Sequence, residues 1–511
     1  MLIVQNSHQQ YQKFVETYLD MLYIQTNQHV TLFERQSYIL KFWDADLTGI
    51  VTILKPFYSK SNKGIPPKDA VALFRSLLLM TEVGVTSISK WVKELRSTPI
   101  YAIISGFIPT CCKPSEYNAY FDKLPGVGTF YDFINKLIRC DKKFHKAKLK
   151  KFRRKPKKKL KKNQKANEPK GTLTERIVKR VIKYDDSKLP DTIESTLNII
   201  LKDVFVKPSL STGILGNCDG LNVAADGTLI KTHASPYGRK VCSCKLKPGE
   251  KCNCRRKFTD PSACWGWDSF HEVYVYGHGF HGFTACDSRY DLPLHLKSVS
   301  AERHDSITGI YNLKEFANLY SDIIINTAAY DSAYDFSYFY ILNEHCKFAP
   351  VIDLNKRKSS KSESDNPLVT YDNKGIPCTT ACGKKLRNWG IINKSFRRKW
   401  LFPSQCNNCN KCDIKSSKTY YQSLNTNPRL FCRISRGTKQ WKALYSRRTT
   451  TERVWDRIKN DFNSSNTIVY SREQLTARVF LGAFCCYIDA WAKESNLTLT
   501  NIFPSLAKFA A

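Results

Sequence analysis

Apolar residues recur at helical spacing through Leu73, Phe74, Leu77, Leu78 and Leu79, behind the start Pro66-Pro67-Lys68-Asp69. Gly84 interrupts this pattern, and Ile88, Trp91, Val92 and Leu95 resume it. Helix, short glycine turn, helix fits a DNA-reading helix-turn-helix, and equally any pair of antiparallel helices. Thr129-Phe-Tyr-Asp132 reads as a capping box ahead of Phe133, Ile134, Leu137 and Ile138. Residues 1–140 are therefore expected to be mostly helical.

Beyond Gly171 the pattern changes to short apolar runs separated by turns. Strands are expected at 221–226, 272–276 and 282–285, then a helix at 313–320, strands at 323–328 and 349–352, and a helical stretch between the last two. Three strands, helix, strand, helix, strand matches an α/β layer built on a mixed sheet. Residues 356–440 break this rhythm: they are polar, rich in cysteine and punctuated by Gly, Pro and Asn, as expected of an insertion carrying a few strands. No internal repeat of fixed period is evident. The apolar run from Val479 to Ala492 contains Asp489 and falls short of the roughly 20 residues of a membrane span. It reads as a buried helix. Met1 to Gln10 is polar, without the basic start and apolar stretch of a secretory signal.

Composition adds one decisive fact. The 511 residues are 42% hydrophobic and 12% aromatic, as in a folded protein, yet 81 Lys and Arg stand against 45 Asp and Glu, a formal +36. Such a balance calls for a polyanionic partner, nucleic acid ahead of an anionic membrane. Fifteen of the 24 residues from Lys142 to Lys165 are Lys or Arg and none is acidic, which marks a basic linker able to hold phosphate without reading sequence. The resulting division is a helical N-terminal domain, the candidate DNA-binding domain (1–140), a basic linker (141–170), the first part of an α/β core (171–355), a Cys-rich insertion (356–440) and a C-terminal helical region (441–511).

The richest stretch for chemistry lies between Tyr445 and Lys459. Tyr445, Arg448, Glu452 and Lys459 are spaced by 3, 4 and 7 residues. At about 100° per residue they fall within roughly 60° of one another on a helix. Neither Pro nor Gly occurs from Leu444 to Phe462, so one continuous helix is expected. Its face would carry a carboxylate able to hold a hard cation, flanked by groups that grip phosphate. Two further acids stand where strand signals end, Asp226 in Ala224-Ala225-Asp226-Gly227-Thr228 and Asp331 in Asp331-Ser332-Ala333-Tyr334-Asp335. Three such acids suit two Mg²⁺ ions roughly 4 Å apart, which serve in-line displacement at phosphorus.

These residues together resemble the DDE transposases of bacterial insertion sequences, in the branch marked by Tyr-x₂-Arg-x₃-Glu-x₆-Lys. Tyr445, Arg448, Glu452 and Lys459 match it at all four positions. The segments 234–240, 265–269 and 489–494 are also similar to that branch, so the resemblance spans 66–495. It implies an RNase H-like mixed sheet flanked by helices, with Asp226, Asp331 and Glu452 as catalytic metal ligands for Mg²⁺ or Mn²⁺. It also implies DNA contacts through Tyr445, Arg448 and Lys459. A second register for the middle acid, through Asn326-Thr327, lacks an acid at the required place, so Asp331 is preferred. The implied activity is cut-and-paste transposition: one strand is nicked at the element's end, and the freed 3′-hydroxyl attacks a second strand or the target. The implied partner is double-stranded DNA, namely terminal inverted repeats and target, held by a dimer of a cytoplasmic, nucleoid-associated protein with no membrane contact. Two alternatives stand beside this reading, a catalytically inactive transposase-derived DNA-binding protein and a metal-dependent DNA nuclease.

Nineteen cysteines fall mainly in clusters, which favours metal binding over a disulfide framework in so long a chain. Cys242, Cys244, Cys252 and Cys254 offer four thiolates on a Lys/Arg-rich loop and could close around a structural Zn²⁺ or stay a reduced loop. Cys406, Cys409 and Cys412 have better chelate spacing but need a fourth ligand, for which Cys382 is the first candidate and Cys378 the next. Zinc is favoured there over an iron–sulfur cluster. Cys432, Cys485 and Cys486 sit in apolar segments and read as core residues.

Overall fold

The computed structural model describes residues 2–60, 66–112, 124–138, 149–150, 171–183, 192–217, 219–245, 252, 254, 256–269, 271–356, 364–404, 419–466 and 468–509. The basic run 142–165 lies outside these except for Leu149–Lys150, and Cys406, Cys409 and Cys412 lie outside them entirely.

A mixed sheet carries the architecture. Strands β1 (Leu221–Lys231), β2 (Val273–Ala285), β3 (Leu292–Ser300), β4 (Ile325–Tyr330) and β5 (Ala349–Ile352) lie side by side in the order β3-β2-β1-β4-β5. The first three run antiparallel to one another, whereas β4 and β5 run parallel to β1. Edge strand Cys264–Asp268 pairs with the first residues of β2. The two strands expected at 272–276 and 282–285 are thus one continuous strand. Its middle reads poorly in sequence because glycines and histidines replace the usual β formers, and those histidines are buried in hydrogen bonds: His281 Nε2 lies 2.7 Å from the Tyr334 hydroxyl, and His278 Nε2 2.6 Å from Asp260. The segment expected at 323–328 begins at Ile325 and runs to Tyr330, and β3 was not anticipated.

Helices cover both faces. On one side Phe283 stacks on Phe316 of helix α3 (Asp305–Leu319) at 4.4 Å, and Asn312 of that helix donates to His281. On the other, Ala224, Ala329 and Val351 form a small cluster with Trp441 of α5 (Lys439–Ser446). Two alanines at neighbouring register positions let α5 approach the sheet closely.

The expected helix–turn–helix is present as α1 (Ala70–Glu82) and α2 (Ile88–Ser97), with Gly84 supplying the turn at φ +77°. Nearly all of α1 is buried, while α2 keeps Lys90, Lys93 and Arg96 exposed. The helix expected near Thr129 begins earlier, at Val127, and Gly126 rather than Thr129 stands at its N-cap. One core extends without a break from these early helices into the sheet and into α7 (Arg472–Ser495). Among the described residues α7 alone is long and apolar enough to cross a membrane, and 83% of its apolar window is buried inside the protein. Between β5 and α5 the chain forms a three-stranded antiparallel sheet of 387–392, 397–401 and 419–423, in keeping with the strands expected of the insertion.

Candidate active site

Asp226 and Asp331 owe their proximity to strand register. Ala224 pairs with Ala329 across β1 and β4, so two residues further on Asp226 and Asp331 come level. Asp331 follows directly after β4, whereas Asp226 falls in the middle of β1, not at the strand end expected from the sequence, because pairing with β2 carries β1 on to Lys231. Ala329 pairs with Val351 in turn, which brings Asp353 level as a third acid just beyond β5. Thr327, in the alternative register, donates to Asn222 Oδ1 at 2.6 Å further down the same face.

Each carboxylate is held by a local backbone amide. The Gly227 N–H donates to Asp226 Oδ1 at 2.8 Å, and the Ala333 N–H donates to Asp331 Oδ1 at 2.9 Å as the cap of a short 3₁₀ turn. Burial, followed by the charges of Asp331 and Asp305, pushes the Asp226 carboxyl up to about 7 against the pull of the Gly227 amide and Arg448. Asp331 is raised too, by burial above all.

Asp305 is an acid the sequence pattern did not single out. It opens α3 and approaches β1 beneath Gly227, where a Cβ would come within 2.5 Å of its Oδ1. Burial pushes its carboxyl up to about 6; His304 opposes this and Asp331 adds to it. Asp353 carried the same signal that marked Asp226, an acid at a strand end. Asp305 carried none, because only the docking of α3 against the sheet brings a helix start beneath Gly227.

Glu452 reaches the site from α6 (Thr449–Asp456). The expected unbroken helix from Leu444 to Phe462 is instead three pieces: α5, α6 and a π-turn at Arg457–Asp461. Between α5 and α6 the backbone tightens to i→i+3 bonds, Arg448 N–H to Tyr445 O at 3.0 Å and Thr451 N–H to Arg448 O at 3.1 Å. The threonine run that follows has branched side chains that favour such a departure, and the Thr449 hydroxyl bonds back to Ser446 O at 3.3 Å.

Arg448 stands at that junction and joins the acids. Its Nη1 lies 3.1 Å from Asp226 Oδ2 and its Nη2 lies 2.8 Å from Glu452 Oε1. Burial weakens the guanidinium's hold on its proton, and Asp226, Glu452 and Tyr445 more than restore it. Tyr445 is half-buried, its ring stacked on Trp441 at 4.7 Å. Burial, then Asp353, raises its phenol. Lys459 falls on the π-turn, where burial lowers its ammonium and Asp268 and Asp456 work to raise it.

Two contacts fix α6 over the sheet. Trp455 Nε1 donates to the Asp226 carbonyl at 3.3 Å, its ring lying over Gly282, the register partner of Asp226. A Cβ there would stand 2.9 Å from the Trp455 ring. The buried Thr284 and Thr451 hydroxyls meet at 2.8 Å. Thr451→Val removes one of that pair and is expected to cost about 1–2 kcal/mol, measured by urea unfolding.

The donor set suits a hard divalent cation. Burial above all raises these carboxyls, and carboxylate oxygens held by rigid backbone are donors that Mg²⁺ takes. The acids are nevertheless not closed into one coordination group. Among the described residues, only Cys242, Cys244, Cys252 and Cys254 gather all their ligand atoms within 4.8 Å, and these four could hold zinc. Cys382 is exposed and its Sγ lies 3.0 Å from the Thr379 hydroxyl, while the three cysteines expected to join it fall outside the described residues. Cys485 and Cys486 are fully buried in α7 and Cys432 is buried as well, in keeping with core roles.

No protein-family model matches the chain, and no curated protein matches it. Six solved chains do. One belongs to a piggyBac transposase synaptic complex with hairpin DNA, which aligns over 92% of this chain and 79% of that one, at 10% identity and a TM-score of 0.32. At that score the functional reading has to stand on the chain's own residues.

Proposed function

We propose that this chain is a DNA transposase with an RNase H-like core, cutting and rejoining DNA at the ends of its own element with Asp226, Asp331 and Glu452 as catalytic acids. The observation that carries the reading is the level placement of Asp226 and Asp331 on adjacent parallel strands, with the Glu452 helix tied to Asp226 through Arg448. The mixed sheet, antiparallel through β3-β2-β1 and parallel through β1-β4-β5, supports the same core. The exposed lysines and arginine of α2 and the net charge of +36 support double-stranded DNA as partner. The domain division read from the sequence and a dimer in the DNA complex belong to this proposal.

Asp226 and Asp331 would hold Mg²⁺ or Mn²⁺, with Glu452 joining from α6. Such a cation supplies the Lewis acidity for in-line displacement at phosphorus. The residues themselves do the positioning. Backbone amides at Gly227 and Ala333 aim the two aspartates, and Trp455 fixes the height of α6. Arg448 neutralises Asp226 and Glu452 while no DNA is bound, and offers its guanidinium to a strand phosphate when one arrives. Tyr445, at the end of α5, and Lys459, on the π-turn after α6, flank Glu452 in the chain and would hold the strand on either side.

The test is incubation of the full chain with Mg²⁺ and DNA carrying the sequences that flank its reading frame. Nicking followed by joined products is expected. Glu452→Gln should lower cleavage about 10²–10³-fold with DNA binding retained. Undiminished cleavage by that variant would sink the assignment, and cleavage without joined products would make the chain a nuclease.

A further inference from the structure

Four cysteines that belong to no apolar cluster, three half-buried and one exposed, come together. Cys242 Sγ lies 3.3 Å from Cys252 Sγ, and Cys244 Sγ lies 3.3 Å from Cys254 Sγ. All four sulfurs fall within 4.8 Å of one another. A tetrahedral zinc with bonds of about 2.3 Å needs sulfur separations of about 3.8 Å, inside that spread. The thiols are free, and a disulfide would require about 2.05 Å.

The hairpin beneath them explains the geometry. Lys240 pairs with Arg256 and Arg239 with Lys257 in an antiparallel ladder, and Leu149–Lys150 pairs with the other edge of Arg256–Lys257 as a third strand. The ladder ends at Lys240 and Arg256, and beyond it the close sulfur pairs, Cys242 with Cys252 and Cys244 with Cys254, link the two arms. The Cys254 N–H donates to Cys252 Sγ at 3.4 Å, and Lys240 Nζ donates to the Cys244 carbonyl at 3.1 Å.

The same ladder is electrostatically unfavourable alone. All four residues of its two rungs are Lys or Arg, directly opposite like charges, and Arg239, Lys240 and Lys257 are exposed. Like charges across a strand pair repel, and strands of two residues add little of their own to offset that repulsion. Such a ribbon needs a staple at one end and a polyanion against its face.

We infer that Cys242, Cys244, Cys252 and Cys254 hold a structural Zn²⁺ that pins the ribbon 239–240/256–257 as a contact for the phosphate backbone of double-stranded DNA. The metal half is independent of the proposed function; the DNA half rests on it. Four thiolates leave zinc no open position, so this metal takes no part in cleavage.

The full chain, purified without chelator, is assayed for zinc by elemental analysis beside Cys242→Ser/Cys252→Ser. The double variant should lose one zinc per chain and, after cobalt loading, the visible band of a tetrahedral thiolate site. Unchanged zinc content overturns the metal site. Because the loop lies outside the main core, circular dichroism should report an intact fold in that variant.

The second arm measures DNA affinity against salt for Arg239→Ala/Lys240→Ala/Lys257→Ala. A slope of log affinity against log salt smaller by about 2–3, with zinc retained, supports the ribbon contact. An unchanged slope overturns the contact. A zinc-bearing wild type that binds no DNA overturns the proposed function and the ribbon's role, and leaves the metal site standing.

Discussion

Asp226→Asn is expected to lose about three orders of magnitude in Mg²⁺-dependent strand cleavage while becoming more stable than the wild type at pH 8. The two effects share one cause. Burial and the neighbouring acids raise the Asp226 carboxyl to about 7 in the folded chain, against about 3.9 when unfolded. Between these values the native state binds a proton that the unfolded state does not. Stability from this group is therefore greatest below about pH 4 and is lost as pH rises to about 7.

Asparagine keeps the shape and carries no charge, so the loss disappears. Its lost pairing with Arg448 offsets part of the gain, as does the partial exposure of the side chain, leaving about 1–2 kcal/mol at pH 8. Melting temperatures at pH 5 and pH 8 measure it: the wild type should fall between the two by more than the variant. Added Mg²⁺ should raise the wild-type melting temperature and leave the variant unmoved. A variant that is less stable at pH 8 and still binds Mg²⁺ would remove Asp226 from the metal site.

The second large effect belongs to Trp455→Ala. The indole is 4% exposed and lies near Phe280 at 6.4 Å between ring centres, over Gly282 and bonded to the Asp226 carbonyl. Truncation should cost about 3–5 kcal/mol in urea unfolding. Cleavage should fall beyond what unfolding explains, because the wedge that sets Glu452 relative to Asp226 is gone. Trp455→Phe retains most of the buried ring and loses only the N–H bond, about 1 kcal/mol, and should restore most of the cleavage. If Trp455→Ala stays folded and cleaves at the wild-type rate, α6 is not positioned by this contact.

Much of this arrangement is legible in the sequence alone. Alternating apolar runs located β1, β4 and β5 to within a few residues at their starts, because strands buried on both faces read as compact apolar blocks. Asp226 was marked by its place in such a run, and the i,i+4 relation of Arg448 and Glu452 by helical spacing alone. What stayed hidden was of another kind. β2 could not be read as one strand, since glycine and histidine fill its centre for reasons of packing: Gly282 makes room for Trp455, and His281 bonds to Tyr334. The breaks at Arg448 and Arg457 were masked by an unbroken run without Pro or Gly, and Asp305 had no local mark.

The sequence by itself determined the kinds of groups present: hard oxygen donors in or just after strands, Tyr445, Arg448 and Glu452 at short helical spacings, a large excess of positive charge, and four thiols in one short stretch. These follow from local spacing and composition, which need no partner to be read. Only the tertiary structure decided which groups meet. Arg448 and Asp226 are 222 residues apart in the chain, yet sheet register and the seating of α6 bring them to 3.1 Å. Burial in that same packing raises the Asp226 carboxyl, and the folded chain brings four sulfurs within 4.8 Å of one another. Spacing along a chain specifies what a segment can offer. Distance through space and exclusion of water specify what that offer is worth, and both arise only when distant segments pack.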